Sequence, residues 1–231
     1  MKPARTLVTR SPHRNVGAVH APWMQPAPIE WESFRERSFI RLAILCPAVA
    51  QLQHQPFEIR YSATDGEARR HTPDFLVTLV GGMRLVIEVK MTKYVEENRA
   101  KFDGAAEKVR AEGGRYYVIT ERMLDAQRED RANVWRRYAR GGAAPDQIDL
   151  ILNRIRDHQH GCTLAELVGA GARVDVAHHL LGRRMLIAAK DLQLTPETRL
   201  NFPNFGEPDE RVYFDSWFGC SPWGENVGIE A

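Results

Sequence analysis

The chain has 231 residues, of which 43% are hydrophobic and 27% charged, which is typical of a globular protein with one core and a small second module. Its net charge of +2 and pI near 8.5 do not by themselves indicate a nucleic-acid partner. The 3 cysteines form no Cys-x-x-Cys pair, which argues against a zinc or iron–sulfur site. The sequence has no recognisable signal peptide and no apolar run of transmembrane length, so we expect a cytoplasmic protein with no membrane partner.

Residues 1–30 are predicted to form an extended basic arm. Prolines recur along this segment, and residues 1–29 contain basic side chains but no acid. Such an arm suits a phosphate backbone, although a solvated terminus has the same composition. The basic residues are Lys2, Arg5, Arg10 and Arg14.

Residues 31–140 are predicted to form a compact α/β core on one mixed sheet. We expect a helix over 33–46 and then a strand over 51–62, which Pro56 limits to an edge or a late start. Two apolar runs, 73–80 and 83–90, are typical of a hairpin joined at Gly81-Gly82. The remaining predicted elements are a turn at 64–66, a helix over 96–112, a strand over 115–120 and a helix over 124–140.

Residues 145–202, which follow the linker Gly141–Pro145, are predicted to form a winged-helix-like α+β module. The predicted order is three helices, the second opening with a capping box at Thr163–Glu166 and the third covering 174–185, and then a hairpin over 186–202. Such modules read DNA or dock proteins, and the few arginines of the third helix favour protein docking.

Residues 203–231 form an acidic tail that carries aromatic side chains. Such a tail either docks onto a partner protein as a linear segment or covers the chain's own core. We favour docking. The aromatic residues concerned are Phe214, Trp217, Phe218 and Trp223.

The two predicted hairpin strands carry two carboxylates and a lysine, within Pro73-Asp74 and Glu88-Val89-Lys90. Hard oxygen ligands beside a lysine suit Mg²⁺-dependent attack of water on a phosphodiester. Strand alternation alone would place Glu88 and Lys90 on a solvated face, but the acid on the neighbouring strand favours a site.

The hairpin register tests this hypothesis. A two-residue turn at Gly81-Gly82 places Asp74 opposite Val89, on the wrong face to meet Glu88 and Lys90. A three-residue turn over 81–83, or a bulge, would pair Asp74 with Lys90 and bring the groups together. We therefore predict an irregular hairpin.

Glu36 is a further acidic candidate, since it lies on the apolar stripe of the first predicted helix. Two interpretations remain open. Glu36 either adds a carboxylate to the metal site or completes a capping box that begins at Ser33.

In its ordered motifs the sequence resembles the PD-(D/E)xK nuclease superfamily and, more narrowly, the TnsA family, the endonuclease subunits of heteromeric transposases. The resemblance covers about residues 30–125. It runs through the motifs Trp31–Phe39, Gln55-Pro56, Thr72–Phe75, Ile87–Lys90 and Tyr117–Glu121.

The resemblance implies a restriction-endonuclease-like core in which Glu36, Asp74 and Lys90 are the catalytic acid, acid and lysine. Glu88 falls at a position that varies in the family, and Val89 would offer its backbone carbonyl to the metal. Together with Glu88, these residues are the expected site. The implied cofactor is Mg²⁺, with Mn²⁺ as a substitute.

The implied activity is a nick in one strand of double-stranded DNA at transposon ends, leaving a 5′-phosphate and a 3′-hydroxyl. The implied partners are a DDE transposase, which cuts the other strand, and an AAA+ ATPase regulator that binds the C-terminal module. The alternatives are a stand-alone restriction-like or repair nuclease and a non-catalytic adaptor between transposase and regulator.

Overall fold

The computed structural model describes residues 15–62, 66–204 and 210–225. No helix within these ranges is both long and apolar enough to cross a membrane. The strands are β1 (Gly17–Val19), β2 (Ile29–Trp31), β3 (Val49–His54), β4 (Ile59–Ser62), β5 (Ala68–His71), β6 (Phe75–Leu79), β7 (Arg84–Val89), β8 (Arg115–Ile119), β9 (Cys162–Thr163) and β10 (Arg199–Leu200). The helices are α1 (Phe34–Ala43), α2 (Arg99–Ala111), α3 (Ala126–Arg140), α4 (Pro145–Arg156), α5 (Leu164–Gly169), α6 (Val174–Gly182) and α7 (Glu210–Phe218).

The centre of the molecule is a mixed sheet in the order β3-β6-β7-β8, in which only β7 and β8 are parallel. Because side chains alternate along a strand, the two faces of the sheet bury different sets. One face packs Leu76 and Val86 against α2, and the other packs Phe75 and Ile87 against α1. The predicted α/β architecture with a mixed sheet is confirmed.

Helix α1 begins where the sequence predicted. Ser33 is its N-cap, with a hydroxyl that accepts a hydrogen bond from the Glu36 backbone N–H. Phe39, Ile40 and Leu42 are buried against the sheet. This burial fixes the first turn of α1, and therefore Glu36, relative to the strand ends.

The strand predicted over 51–62 is two strands, β3 and β4, that belong to different sheets. Pro56 has no N–H to donate to a ladder, and Gln55 before it has a φ of 39°, which turns the chain away from β3. Strand β4 pairs instead with β5, which was not predicted. The turn predicted at 64–66 includes Thr64 and Asp65, which lie outside the described residues.

The extended arm predicted over 1–30 is wrong for its second half. Strands β1 and β2 pair antiparallel, and Val19, Ala21 and Ile29 are buried in the main core. Apolar burial therefore holds this part of the chain against α1 and β3. Residues 1–14, which contain the predicted basic side chains, lie outside the described residues.

The C-terminal helices dock against α3 through α6. The Tyr138 carbonyl oxygen lies 3.0 Å from His179 Nδ1, and Arg183 Nε donates to the Ala139 carbonyl at 3.0 Å. The predicted capping box at Thr163 and Glu166 is present. The hairpin predicted over 186–202 is reduced to one bridge between Ile187 and Asn201, because β10 pairs with β9.

The aromatic tail covers the protein's own core. Helix α7 buries Phe214, Trp217 and Phe218, and Trp217 Nε1 donates to the Leu42 carbonyl at 3.2 Å. The prediction that these side chains form a docking segment is therefore wrong, since they already have a hydrophobic partner in α1 and β8. Residues 205–209 and 226–231 of the tail lie outside the described residues.

Candidate active site

The hairpin between β6 and β7 is irregular, as predicted, but its register shifts in the opposite direction. Leu79 N–H donates to the Met83 carbonyl at 2.9 Å, which leaves a three-residue loop over 80–82. Gly82 occupies the left-handed position of this loop, with a φ of 92°. Phe75 pairs with Ile87, so that the same register continues to Asp74 opposite Glu88. The expected pairing of Asp74 with Lys90 is therefore wrong, whereas the expected sharing of one face is correct.

Asp74 is fixed at the start of β6 through its backbone and its carboxylate. Gln55 N–H donates to the Asp74 carbonyl at 2.8 Å, and Val89 N–H donates to Asp74 Oδ2 at 2.7 Å. Burial and the nearby charges of Glu88 and Glu36 raise the pKa of Asp74 well above its usual range. The three carboxylates are therefore close enough to repel one another.

Glu88 is held between two nitrogen groups. Its side chain lies 3.0 Å from His71 Nε2 through Oε2 and 3.0 Å from Lys101 Nζ through Oε1. Burial would raise the pKa of Glu88, which is only 4% exposed, but the hydrogen bonds and charges of His71 and Lys101 lower it. Glu88 is thus an ionised carboxylate in a buried position.

The structure contains half of the capping box predicted for Glu36. The Ser33 hydroxyl caps the Glu36 N–H, but the Glu36 carboxylate accepts from the Ser33 hydroxyl and the Glu32 backbone N–H, each at 2.8 Å, where a capping box has the Ser33 backbone N–H as donor. Burial, followed by the charges of Glu32 and Glu88, raises the pKa of Glu36 above its usual value despite these hydrogen bonds. Glu36 therefore contacts the residues at the start of its own helix and also lies within electrostatic range of Asp74 and Glu88.

Lys90 follows Val89 at the end of β7 and continues the parallel ladder, since its N–H donates to the Ile119 carbonyl at 2.9 Å. Strand alternation places it on the same face as Glu88. Within the described part of the chain, its ammonium group has no ion pair or hydrogen bond. A lysine on the face that bears Glu88, with no ion pair among the described residues, is suitably placed to contact a substrate phosphate.

The residues fit a hard divalent cation in charge and donor type. Three carboxylates supply the oxygen ligands that Mg²⁺ prefers, and their mutual repulsion is relieved when a cation lies among them. In the described residues, no group of three or more His, Cys, Asp and Glu side chains converges closely enough to coordinate an ion. The reason is local, because Glu36 folds back on its cap and Glu88 binds Lys101.

Two residues outside the sequence motifs contact the site. His71, at the end of β5, lies 3.2 Å from the Tyr116 hydroxyl as well as beside Glu88. Lys101, on α2, binds Glu88 from the neighbouring helix. Its only sequence signal was that α2 follows the strand that bears Glu88, and such a helix must pack across that strand's face.

A mixed sheet with carboxylates and a lysine gathered at the ends of β6 and β7 is the arrangement of an α/β nuclease core. Residues 46–121 match the protein-family model described as TnsA-like endonuclease N terminal. This segment is similar to TnsA-like endonuclease domains, which confirms the resemblance found in the motifs, and it contains Asp74, Glu88 and Lys90 but not Glu36. No curated protein matches the chain.

Proposed function

We propose that this protein is a Mg²⁺-dependent DNA endonuclease subunit of a heteromeric transposase, which nicks one strand at transposon ends to leave a 5′-phosphate and a 3′-hydroxyl. The observation that carries the proposal is the register that sets Asp74 opposite Glu88, with Lys90 on the same face. The match of residues 46–121 to a TnsA-like endonuclease domain supports the same activity.

The residues have distinct roles in this proposal. Asp74 and Glu88, with Glu36 as a third acid and the Val89 carbonyl, would hold the metal. The bound metal would polarise the phosphate and favour ionisation of the attacking water. Lys90 orients that water or stabilises the negative charge that develops on the phosphate. His71 and Lys101 lower the Glu88 pKa. His71 holds Oε2 of Glu88, and Lys101 occupies Oε1, the oxygen for which a metal would compete.

The C-terminal module is proposed to be a winged helix that docks the AAA+ regulator, while the nuclease domain acts beside a DDE transposase. The order α4, β9, α5, α6 and β10, with the bridge from Ile187 to Asn201, supports a three-helix module with a small sheet. Arg173 at the start of α6 already pairs with Asp175 at 2.7 Å, which leaves this helix fewer free cations for DNA.

The test is strand-specific cleavage of end-labelled duplex DNA with Mg²⁺, by the full chain alone and with candidate transposase partners. The Asp74→Ala variant should lose at least about 1000-fold in cleavage rate, since a catalytic metal supplies several kcal/mol. Lys90→Met should lose about 100-fold or more, because it removes a charge that stabilises the transition state. Circular dichroism should show both variants folded.

Cleavage retained by Asp74→Ala would refute the site assignment. Robust cleavage without any partner would favour a stand-alone restriction-like or repair nuclease over a transposase subunit. An adaptor without catalytic activity would bind DNA and bridge transposase and regulator, yet show no Asp74-dependent cleavage in any assembly.

A further inference from the structure

Four arginines lie where α1 and α3 pack together, and Glu129 is an acid among them. Helix α1 contributes Arg37 and Arg41, and helix α3 contributes Arg136 and Arg140, each pair spaced i and i+4. The acid is Glu129, which binds Arg41 Nη1 at 2.6 Å. Like charges at i and i+4 destabilise a helix, so both helices carry an unfavourable pair. We refer to these four residues as the arginine cluster.

Arg136 lies at the centre of the repulsion. It is 8% exposed, and burial, followed by the charges of Arg41 and Arg140, lowers its pKa to about 10. Its Nη1 donates to Asn133 Oδ1 at 3.0 Å, and its Nε has no acceptor among the described residues. A buried guanidinium without a carboxylate partner costs stability, so an anion that completes its hydrogen bonds would be favourable.

The arginine cluster reaches the helix turn that carries Glu36 through Arg37. Arg41 in the last turn of α1 pairs with Glu129 near the start of α3, and Arg41 is also the neighbouring charge that lowers the Arg136 pKa most. Arg37 acts more weakly on Arg136. It follows Glu36 directly in the chain, and its guanidinium lies 4.7 Å from the centroid of the Phe34 ring. One helical turn, about 5.4 Å, separates Arg37 from Arg41.

We propose that Arg37, Arg41, Arg136 and Arg140 bind a phosphate of the DNA backbone on the α1 side of the candidate site. Guanidinium groups donate in the bidentate geometry that phosphate oxygens accept, and a phosphate would offset the repulsion within the arginine cluster. The inference rests on the proposed nuclease function and adds the path of the substrate, which runs from the carboxylates across the first turn of α1 toward the end of α3.

The arginine cluster predicts opposite effects on binding and on stability. Replacing Arg136 by methionine removes a buried, repelled cation, so the midpoint of urea unfolding should rise. The same variant should bind duplex DNA about tenfold more weakly at low salt, with a slope of log affinity against log salt that is smaller by about one phosphate contact. Arg140→Gln, exposed in the last turn of α3, should reduce the slope without unfolding the protein.

The experiment is fluorescence anisotropy with a labelled duplex of mixed sequence, in Ca²⁺ to prevent cleavage, across a series of salt concentrations. Arg84→Gln is the matched control, because it removes one exposed charge from the start of β7, at the end of the sheet away from the carboxylates. It should leave the slope unchanged. Thermal melting should also be measured in inorganic phosphate and in chloride at equal ionic strength. Phosphate should raise the melting temperature of the wild type more than that of Arg140→Gln.

If Arg136→Met and Arg140→Gln leave the slope of log affinity against log salt unchanged, the proposal is overturned. An acidic protein surface would then be the ligand to test for the arginine cluster. A lower unfolding midpoint for Arg136→Met with unchanged affinity would overturn it in favour of a structural role. If Asp74-dependent cleavage is present while the slopes are unchanged, this inference alone fails. If the wild type binds no duplex, the proposed function fails with it.

Discussion

The Asp74 carboxylate accepts a hydrogen bond from the Val89 backbone N–H at 2.7 Å, and this contact joins the start of β6 to the end of β7 where the strand ladder stops. It keeps Asp74 on the face that bears Glu88 and fixes the spacing of the two acids. Because burial and neighbouring charges raise the Asp74 pKa, the fold holds this carboxylate at a cost to its own stability.

Replacing Asp74 by asparagine should therefore stabilise the fold while abolishing cleavage. The folded-state pKa is raised, so the ionised carboxylate is the form that folding disfavours, and wild-type stability falls as pH rises through the folded pKa. Asparagine is neutral and keeps an oxygen for Val89 N–H. In urea unfolding at several pH values, its advantage should be largest near neutral pH and vanish below the ordinary Asp pKa, about 3.9.

A lower stability of Asp74→Asn at neutral pH would contradict this account of the carboxylates. Thermal melting at increasing Mg²⁺ concentration is a second measurement on the same variant. The wild type should gain thermal stability as the metal concentration rises, whereas Asp74→Asn should gain little, because binding to the folded state is what shifts the melting temperature.

Lys101 should compete with a divalent cation for Glu88, since its ammonium lies 3.0 Å from Glu88 Oε1. Lys101→Met removes one positive charge near the expected metal position, and we expect Mg²⁺ affinity to increase about tenfold from the lost repulsion. Titration calorimetry measures this affinity directly. Lys108→Met is the control on the same helix, because Lys108 pairs with Glu112 and should leave the affinity unchanged. An unchanged or lower affinity in Lys101→Met would rule out the competition.

Gly82→Ala should lower the free energy of unfolding by about 1 kcal/mol, because a side chain is strained at a left-handed φ. The observed φ is 92°. Gly142→Ala is a suitable control, since Gly142 has no positive φ and an added Cβ there meets no neighbouring atom. Equal stabilities of the two variants in urea unfolding would show that the loop does not need its glycine.

Trp217→Ala should destabilise the protein by about 3–5 kcal/mol, because it opens a cavity between α7 and α1. It also removes the hydrogen bond to the Leu42 carbonyl and the contact with the Arg128 guanidinium, which lies 4.6 Å from the ring centroid. Val212→Ala, on the exposed side of α7, should have a small effect. If urea unfolding shows no loss for Trp217→Ala, the tail would be a docking segment after all.

The sequence by itself determined the elements whose signals are local. Ser33 predicts the start of α1, Gly81-Gly82 predicts the β6–β7 turn, and Thr163 with Glu166 predicts the capping box of α5. The motif residues Asp74, Glu88 and Lys90 were also readable, because a carboxylate in an apolar strand needs a partner.

Only the tertiary structure decided how these elements meet. The loop over 80–82 chose the register that sets Asp74 opposite Glu88, packing of α2 across β7 brought Lys101 to that carboxylate, and apolar burial drew α7 onto α1. Each outcome depends on contacts between residues far apart in the chain, and local propensity does not encode such contacts. The residues of the candidate site can therefore be predicted from the sequence, whereas their arrangement depends on tertiary packing.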